Sequence, residues 1–196
     1  NGNHPEQIQV ISPRRKDTDA GADALNPVLR DIVNPRRYGY PEQKNGAVTY
    51  RQKDRVMQLK NTEEVSNGDV GEVLNIYQKD GKNVLRVDFG ENRILEYTDG
   101  EIWPLNLAYC VTVHKAQGDE YPVVILPMLT CFYRMLRKNL FYTAVTRAKR
   151  KLILVGSKKA MAIAIHNDTV SSRNTMFGMR IRKIRDANLE QEKKTA

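Results

Sequence analysis

The sequence predicts an α/β domain that is interrupted by a small all-β segment. Apolar residues recur at helical spacing near both ends of the chain, whereas the middle alternates between apolar and polar residues. Clusters of Gly, Asn and Asp divide that middle part at the intervals typical of short strands. We therefore expect a first α/β part over residues 1–46, a small antiparallel barrel over 47–104, a second α/β part over 105–184 and a disordered charged tail over 185–196.

The first α/β part begins with a short buried strand at Ile8–Ser12, which a basic loop follows. A helix comes next, with Asp23 as its expected N-cap and Pro35 as its end. Its buried face is predicted from five apolar residues at helical spacing: Leu25, Val28, Leu29, Ile32 and Val33. Residues 36–47 show no periodicity, so we expect a loop there.

In the middle segment, alternation is clearest where Leu85, Val87 and Phe89 are separated by charged residues. Four turn signals separate the expected strands: Asn67-Gly68-Asp69, Asp80-Gly81-Lys82, Gly90-Glu91-Asn92 and Asp99-Gly100. Trp103 is interpreted as a residue of the core or of the domain junction.

The second α/β part predicts two strands and three helices. The strands are Val123–Leu126 and Lys151–Val155. The helices are Arg134–Ala148, with Leu136, Leu140 and Ala144 stacked along it, a helix capped by Ser157 that buries Met161, Ala164 and Ile165, and a last helix over Ser172–Ile184.

Composition favours a basic intracellular protein with a polyanionic partner. The formal net charge of +9 is typical of nucleic-acid binding, although a protein with solvated lysine faces is the alternative. Cys110 and Cys131 belong to no Cys/His cluster, so both are expected as buried free thiols, and we expect no metal ligands. The N-terminal sequence NGNHPEQIQV is not a signal peptide and has no initiator Met, and no apolar run reaches membrane-spanning length. We expect an excised piece of a cytoplasmic protein without membrane contact.

Two strings carry the chemistry: TVHKAQGDE at Thr112–Glu120 and YTAVTRAKR at Tyr142–Arg150. The first crowds hydrogen-bonding side chains around Gly118, and a glycine allows a ligand to approach the backbone closely. The second places Arg147 at the end of a helix with Thr146 beside it. The forked guanidinium of an arginine there suits a phosphate group.

Together these strings resemble motifs V and VI of superfamily 1 helicases, and NLFYTAVTRAKRKLILVG and LAYCVTVHKAQGDEYPVVILP resemble the RecD/TraA-like branch in particular. VISPRRK resembles motif IV of that branch, and DRVMQLKN and NGDVGEV resemble the start of its inserted domain 2B. One departure is Lys53, where the family has Gly before Asp54. The resemblance implies a RecA-like α/β domain, 2A, split by a Src-homology-3-like barrel, 2B.

The resemblance also implies site residues. Arg147 would be the arginine finger at the γ-phosphate of ATP and Arg15 a second phosphate-facing arginine. Gln117, Gly118 and Glu120 would approach the nucleotide. DNA contacts are implied for Thr112, His114, Lys115, Thr146, Lys60, Asn61 and Asn67.

Each role has a simpler alternative. Arg15 is otherwise a solvated loop charge, His114 a hydrogen-bonded structural histidine and Glu120 a salt-bridge residue. Lys60 and Asn61 are otherwise ordinary residues of a strand end or turn.

The sequence has no GxxxxGK[ST] string, so a phosphate-binding loop of that type is absent from it. The resemblance therefore implies that ATP and Mg²⁺ are held largely by a preceding motor domain, 1A, and that this chain forms the other wall of the cleft and grips single-stranded DNA. Movement from 5′ to 3′ is implied as well. Three alternatives stay open: an exodeoxyribonuclease V alpha subunit rather than a stand-alone helicase, the helicase half of a conjugative relaxase, and a non-catalytic nucleic-acid-binding module.

Overall fold

The computed structural model describes residues 8–167. The helix predicted at Ser172–Ile184 and the tail predicted over 185–196 lie outside the described residues. The described elements are β1 Ile8–Ser12, α1 Ala22–Val33, β2 Glu42–Asn45, β3 Val48–Arg51, β4 Arg55–Gln58, β5 Val70–Lys79, β6 Lys82–Asp88, β7 Ile94–Thr98, β8 Leu105–Leu107, β9 Cys110–Thr112, β10 Tyr121–Met128, a 3₁₀ helix Thr130–Met135, α2 Lys138–Val145, β11 Ala148–Gly156 and α3 Lys158–His166.

The α/β part is built on a four-stranded sheet in the order β11-β10-β1-β9, with every neighbouring pair parallel. Alternate residues of a strand point to opposite faces of a sheet. Val10 and Cys110 therefore pack towards α1 on one face, whereas Ile11 and Val111 join the core that α2, α3 and the 3₁₀ helix cover on the other. The predicted strand at Ile8–Ser12 is confirmed, and helices on both faces are the arrangement expected of a parallel sheet.

The all-β part is a second sheet of five antiparallel strands in the order β7-β6-β5-β4-β8, with the hairpin β2-β3 beside it. Leu85, Val87 and Phe89 are buried in its core, as their alternation predicts. Its strands begin and end beyond the predicted segment. The loop predicted over 36–47 is wrong at Glu42–Asn45, which is β2, and β8 carries the sheet on to Leu107.

The apolar face predicted for helix α1 is confirmed only in part. Leu25 and Leu29 pack against the core, whereas Val28, Ile32 and Val33 are exposed, and a polar stripe is buried instead. Asn26, Arg30 and Asn34 occupy one stripe of the helix and are buried, whereas Ile32 is 72% exposed. These polar side chains can be buried because hydrogen bonds to the backbone satisfy them. Asn26 exchanges two of them with the backbone of Cys110 in β9, and Arg30 and Asn34 donate to carbonyl groups of the β3 region. The N-cap prediction is also wrong, because Gly21 caps the helix and Asp23 lies within its first turn.

The buried carboxylate of Asp54 joins α1 to the barrel. It accepts hydrogen bonds from the Asn34 amide at 2.8 Å, the Tyr109 hydroxyl at 2.9 Å and the Arg51 backbone at 2.7 Å. Burial raises the pKa of Asp54, and these three donors and the charge of Arg30 only partly offset that rise. A carboxylate held this way fixes the position of the barrel against the helix, since each of its donors would lose a partner if it moved.

The long helix predicted over Arg134–Ala148 is broken. Leu136 and Arg137 leave the helical conformation between the 3₁₀ helix and α2. The side chain of Asn167 donates to the Leu136 carbonyl, and its own carbonyl accepts from the Lys138 backbone, so tertiary hydrogen bonds replace the helical ones. The stacked residues Leu136 and Ala144 are nevertheless buried as predicted.

The predictions for α3 and for the two cysteines are each confirmed in part. Ser157 caps α3 as predicted, accepting from the Ala160 backbone at 3.1 Å, but Ile165 is half exposed and does not belong to the buried face. Cys110 is a buried free thiol, whereas Cys131 is exposed. The helices within residues 8–167 include none long and apolar enough to span a membrane.

Candidate functional site

Arg147 lies where α2 ends and β11 begins, and its guanidinium is held in place by three hydrogen bonds. Nε donates to the Thr143 carbonyl at 3.1 Å, and Nη2 donates to the Thr146 hydroxyl at 3.2 Å. Nη1 donates to the Asp119 carbonyl at 2.9 Å, and the Arg147 carbonyl accepts from the Tyr121 backbone at 2.8 Å. The negative end of the α2 dipole favours a cation there. The guanidinium is therefore fixed beside the loop that carries the first motif.

That loop turns sharply at Gly118, whose φ is +104°. A side chain there would be strained by the backbone conformation, although the space around its Cα is open. Gln117 and Glu120 are exposed on either side. The backbone of this loop is thus accessible to a ligand, and Arg147 lies next to it.

Glu120 forms an ion pair with Lys149 at 3.1 Å, and both side chains are more than half exposed. Asp119 accepts a hydrogen bond from the Tyr121 hydroxyl at 3.1 Å, and burial together with the neighbouring Asp119 carboxylate raises the pKa of Tyr121. The salt-bridge alternative considered for Glu120 is therefore formed, although an exposed pair of this kind contributes little stability.

Arg15 occupies a different part of the site from Arg147. Its Nε lies 3.2 Å from an Asp23 carboxylate oxygen, and the side chain is 56% exposed. It borders a crevice of about 320 Å³ together with Thr112, His114 and Lys115. The second arginine is thus brought together with residues predicted to contact DNA.

Lys115 connects this loop to the barrel. Its ammonium group hydrogen-bonds the Asn67 side-chain oxygen, and the Asn67 backbone donates to the Asn61 side chain at 2.7 Å. Three predicted DNA-contacting residues from two distant segments therefore form one connected cluster. Gln117 and Glu120 border the same polar cavity of about 470 Å³ as Asn67 and Lys115.

Lys60 and His114 were also predicted to contact DNA, and neither is part of this cluster. The Lys60 ammonium lies 5.1 Å from the centre of the Trp103 ring, a cation–π distance. Trp103 is 58% exposed, so its interpretation as a core residue is wrong. His114 is exposed, and among residues 8–167 no hydrogen bond of its imidazole is found, so the alternative of a hydrogen-bonded structural histidine is not formed there.

Sequence reasoning missed two arginines that border the polar cavity. Arg55 donates to the Ile8 carbonyl and to the Gln9 side chain, and Arg93 is ion-paired with Asp69 at 2.6 Å. Arg93 belongs to no motif, and Arg55 lies in the DRVMQLKN string, from which only Lys60 and Asn61 were predicted as site residues. Arg93 follows a turn signal by one residue, but nothing in the sequence indicates that this turn lies near residues 115–120.

Two family models match the chain, and together they cover more than half of it. Residues 25–89 match the SH3 domain of ATP-dependent RecD-like DNA helicases, and residues 107–155 match the C-terminal domain of UvrD-like helicases. The chain belongs to the RecD-like helicases. The resemblance noted in the motif strings is therefore confirmed. The parallel sheet and the matched SH3 domain likewise confirm an α/β domain accompanied by a Src-homology-3-like barrel.

Similar curated proteins bear RecD-type names. This RecD-like chain is 38% identical over 180 residues to the ATP-dependent RecD2 DNA helicase of Deinococcus radiodurans, which covers 91% of the chain and 24% of that relative. It is 36% identical over 119 residues to the RecBCD enzyme subunit RecD of Mycobacterium tuberculosis, covering 60% of the chain and 19% of that subunit. The chain thus spans about a quarter or less of these relatives' length.

Among solved structures, the Pif1 helicase of Candida albicans is 15% identical, with a TM-score of 0.48, covering 79% of this chain and 48% of that one. A structure of two coordinating Pif1 helicases at forked double-stranded DNA is 20% identical, with a TM-score of 0.48, covering 76% of this chain and 39% of that one.

Proposed function

We propose that this chain is the C-terminal part of the motor of an ATP-dependent DNA helicase that moves 5′ to 3′ along single-stranded DNA in the cytoplasm. The observation that carries the proposal is the placement of Arg147, whose guanidinium is fixed beside the open loop at Gly118. The RecD2 relative is named as an ATP-dependent DNA helicase, which supports the same assignment.

In this proposal the chain forms one wall of a nucleotide cleft, and a P-loop domain, 1A, forms the other. Arg147 stabilises negative charge on the γ-phosphoryl group as it transfers, which is the work of an arginine finger. Gln117, Gly118 and Glu120 approach the nucleotide. Arg15 is a second arginine that faces a phosphate group of the nucleotide. Closure of the cleft on ATP and its reopening after hydrolysis are coupled to DNA through residues that follow β9.

The acidic side chains beside Arg147 do not fit a magnesium site of their own. Glu120 is engaged by Lys149 and Asp119 by the Tyr121 hydroxyl, and residues 8–167 contain no group of three or more potential metal ligands. We therefore assign the Mg²⁺ that accompanies ATP to side chains of domain 1A.

The proposed path of single-stranded DNA crosses the junction between the α/β part and the barrel. The cluster of Lys115, Asn67 and Asn61 spans that junction, with Thr112 and His114 beside it and Lys60 two residues after the end of β4. Thr146 is included because its hydroxyl holds the Arg147 guanidinium, so a DNA contact there would reach the arginine directly. The same proposal divides the chain into 2A over 1–46 and 105–184 and 2B over 47–104, with the flanking strands β2 and β8 joining 2B across these boundaries.

We expect the 196-residue chain alone to show no ATP turnover, because in this proposal the phosphate-binding loop and the metal ligands belong to 1A. The measurement is a steady-state ATPase assay with single-stranded DNA present. Turnover of even ~1 s⁻¹ that co-purifies with the chain would contradict the two-wall proposal, since that is the low end of ordinary enzyme rates.

We expect the chain to bind single-stranded DNA with an affinity that falls by about tenfold or more between roughly 50 and 200 mM salt, because contacts with phosphates release counterions. Fluorescence anisotropy of a labelled oligonucleotide measures it. Lys115→Gln should weaken binding and flatten the salt dependence. Lys82→Gln removes the same charge at the far β5-β6 turn and should do neither. Equal effects of the two variants would mean that net charge alone attracts the DNA.

A further inference from the structure

A narrow cleft lies beyond the C-terminal end of α1, between the loop over residues 35–41 and the turn at residues 51–53. Pro35, Tyr40 and Pro41 supply most of its apolar lining. A helix of 12 residues is about 18 Å long, and Ala22 at the other end of α1 borders the crevice of Arg15. The cleft is therefore remote from the proposed path of DNA.

Two cations line this cleft without an ion pair to any of residues 8–167. They are Arg37 and Lys53, and both are exposed. The acids of this region, Asp31 and Glu42, are engaged by Arg51, whose guanidinium lies 2.6 Å from a carboxylate oxygen of each. The cleft therefore presents two positive charges to a partner.

Lys53 holds a backbone conformation that suits glycine better than lysine. Its φ is +69°, in the left-handed region where a Cβ atom crowds the following carbonyl group. The junction with β5 imposes this conformation, because the Lys53 backbone donates to the Val73 carbonyl at 2.7 Å. Glycine would meet the same requirement without strain. A residue that keeps such strain points to a use for its side chain.

An exposed apolar stripe on α1 leads towards the cleft. Val28 and Ile32 lie one helical turn apart, and both are more than half exposed. Pro35 follows Ile32 closely and lines the cleft, so the stripe continues past the end of the helix. Tyr38 and Tyr40 are exposed in the loop beyond it. Contiguous exposed apolar surface marks interaction sites, and Tyr and Arg are enriched where proteins meet.

We propose that Val28, Ile32, Arg37, Tyr40 and Lys53 form a docking surface for an acidic amphipathic helix of a partner protein. The apolar face of that helix lies along α1, one of its side chains enters the cleft, and its carboxylates meet the two cations. Complementary charges of this kind fix the register of a contact. The inference goes beyond the proposed function, because neither the nucleotide cleft nor the DNA path includes these residues.

The cleft suits a protein segment better than a nucleic-acid strand. Its volume of about 30 Å³ is far below the ~300 Å³ of the smallest ligand pockets, so one small side chain fits and a nucleobase does not. Glu42 also lines the cleft, and a carboxylate repels the phosphates that accompany every base. A protein segment, by contrast, carries its carboxylates only at particular positions.

The experiment uses the ¹⁵N-labelled 196-residue chain and three synthetic peptides of equal length. Each peptide carries leucines at helical spacing, and its other positions are all Glu, all Gln or all Lys. The Glu peptide should shift the NMR amide signals of Ile32, Tyr40 and Lys53, whereas the signal of Gly81 in the β5-β6 turn should stay fixed. The Gln and Lys peptides should shift none of them, since they lack the carboxylates that the two cations bind.

Lys53→Gly separates binding from folding. It should raise the thermal midpoint, because glycine relieves the left-handed strain, yet weaken binding of the Glu peptide by about tenfold, the scale of one charged contact. Glu91→Gly relieves comparable strain, at a φ of +54° in the β6-β7 turn, and should raise the midpoint without changing the affinity. Lys82→Gln removes the same charge as Lys53→Gly at the far β5-β6 turn and should change neither.

Three results would overturn the inference. The first is an equal affinity of wild type and Lys53→Gly for the Glu peptide. The second is oligothymidine shifting the Tyr40 and Lys53 amide signals as the Glu peptide does, which would assign the surface to nucleic acid. The third is loss of Glu-peptide binding in a longer polypeptide that also carries a P-loop domain, which would mean that the same polypeptide covers the surface.

Discussion

Arg147→Ala, made in a polypeptide that joins this chain to a P-loop domain, should lower DNA-stimulated ATP turnover by roughly 10³-fold or more, as loss of an arginine finger does. Single-strand binding should stay nearly unchanged, because the crevice and the Lys115 cluster do not include this side chain. Arg147→Lys should rescue poorly, since an ammonium group cannot reproduce the forked geometry of a guanidinium. Turnover, DNA affinity and thermal midpoint are measured on one preparation of each variant.

The matched control is Arg150→Ala, which removes the same charge three residues further on, from the exposed face of β11. It should retain turnover within a few-fold of wild type. A structural role for Arg147 gives a different pattern, because its guanidinium also holds Thr143, Thr146 and Asp119. In that case the alanine variant would melt earlier and lose DNA binding together with turnover.

Gly156→Ala should destabilise the folded chain by about 3 kcal/mol or more, a loss of the size that steric conflict with fixed backbone produces. Gly156 ends β11 opposite Met128 with a φ of +148°. An added Cβ would lie 1.9 Å from the Met128 carbonyl oxygen, which also accepts the Ser157 backbone hydrogen bond. The substitution therefore disrupts both the end of the β10-β11 pairing and the start of α3.

Gly100→Ala is the matched control, because an added Cβ there meets open space. Chemical denaturation of both variants gives the free energies of unfolding, and the control should stay within about 0.5 kcal/mol of wild type, as surface substitutions usually do. A Gly156→Ala variant as stable as the control would show that β11, the strand that follows Arg147, is not anchored where the structure has it.

Local sequence patterns predicted these sheet strands. Ile8–Ser12 and Val123–Leu126 are short, largely apolar runs that the parallel sheet buries on both faces, and β6 shows the apolar-polar alternation of a strand with one buried face. Apolar periodicity predicted the buried face of helix α1 only in part, because Leu25 and Leu29 pack against the core but Asn26 and Arg30 are more deeply buried. Its buried face is chosen by hydrogen bonds from Asn26 and Arg30 to backbone groups far along the chain, and an apolar-periodicity rule assigns such polar residues to solvent.

The candidate site was also predicted only in part. Motif strings located Arg147 and the loop at Gly118, since each string is contiguous and its residue types are specific. The contact of Lys115 with Asn67 joins residues 48 positions apart, and Arg93 enters the polar cavity from a separate strand connection. Contacts of this kind depend on how the barrel lies against the sheet, which buried polar groups such as Asp54 determine and sequence spacing does not encode.

If Arg147 acts on the γ-phosphoryl group of a nucleotide held by another domain, it should contribute to the affinity for a transition-state analogue but not to the affinity for ADP. The affinities for ADP and for ADP with aluminium fluoride are therefore compared. An analogue of the transition state gains affinity only from groups that act in that state. In the joined polypeptide, Arg147→Ala should bind ADP as wild type does and lose most of the additional affinity for ADP with aluminium fluoride, whereas Arg150→Ala should keep it. Equal binding of the analogue by wild type and Arg147→Ala, with both proteins folded, would show that Arg147 does not act on the γ-phosphoryl group.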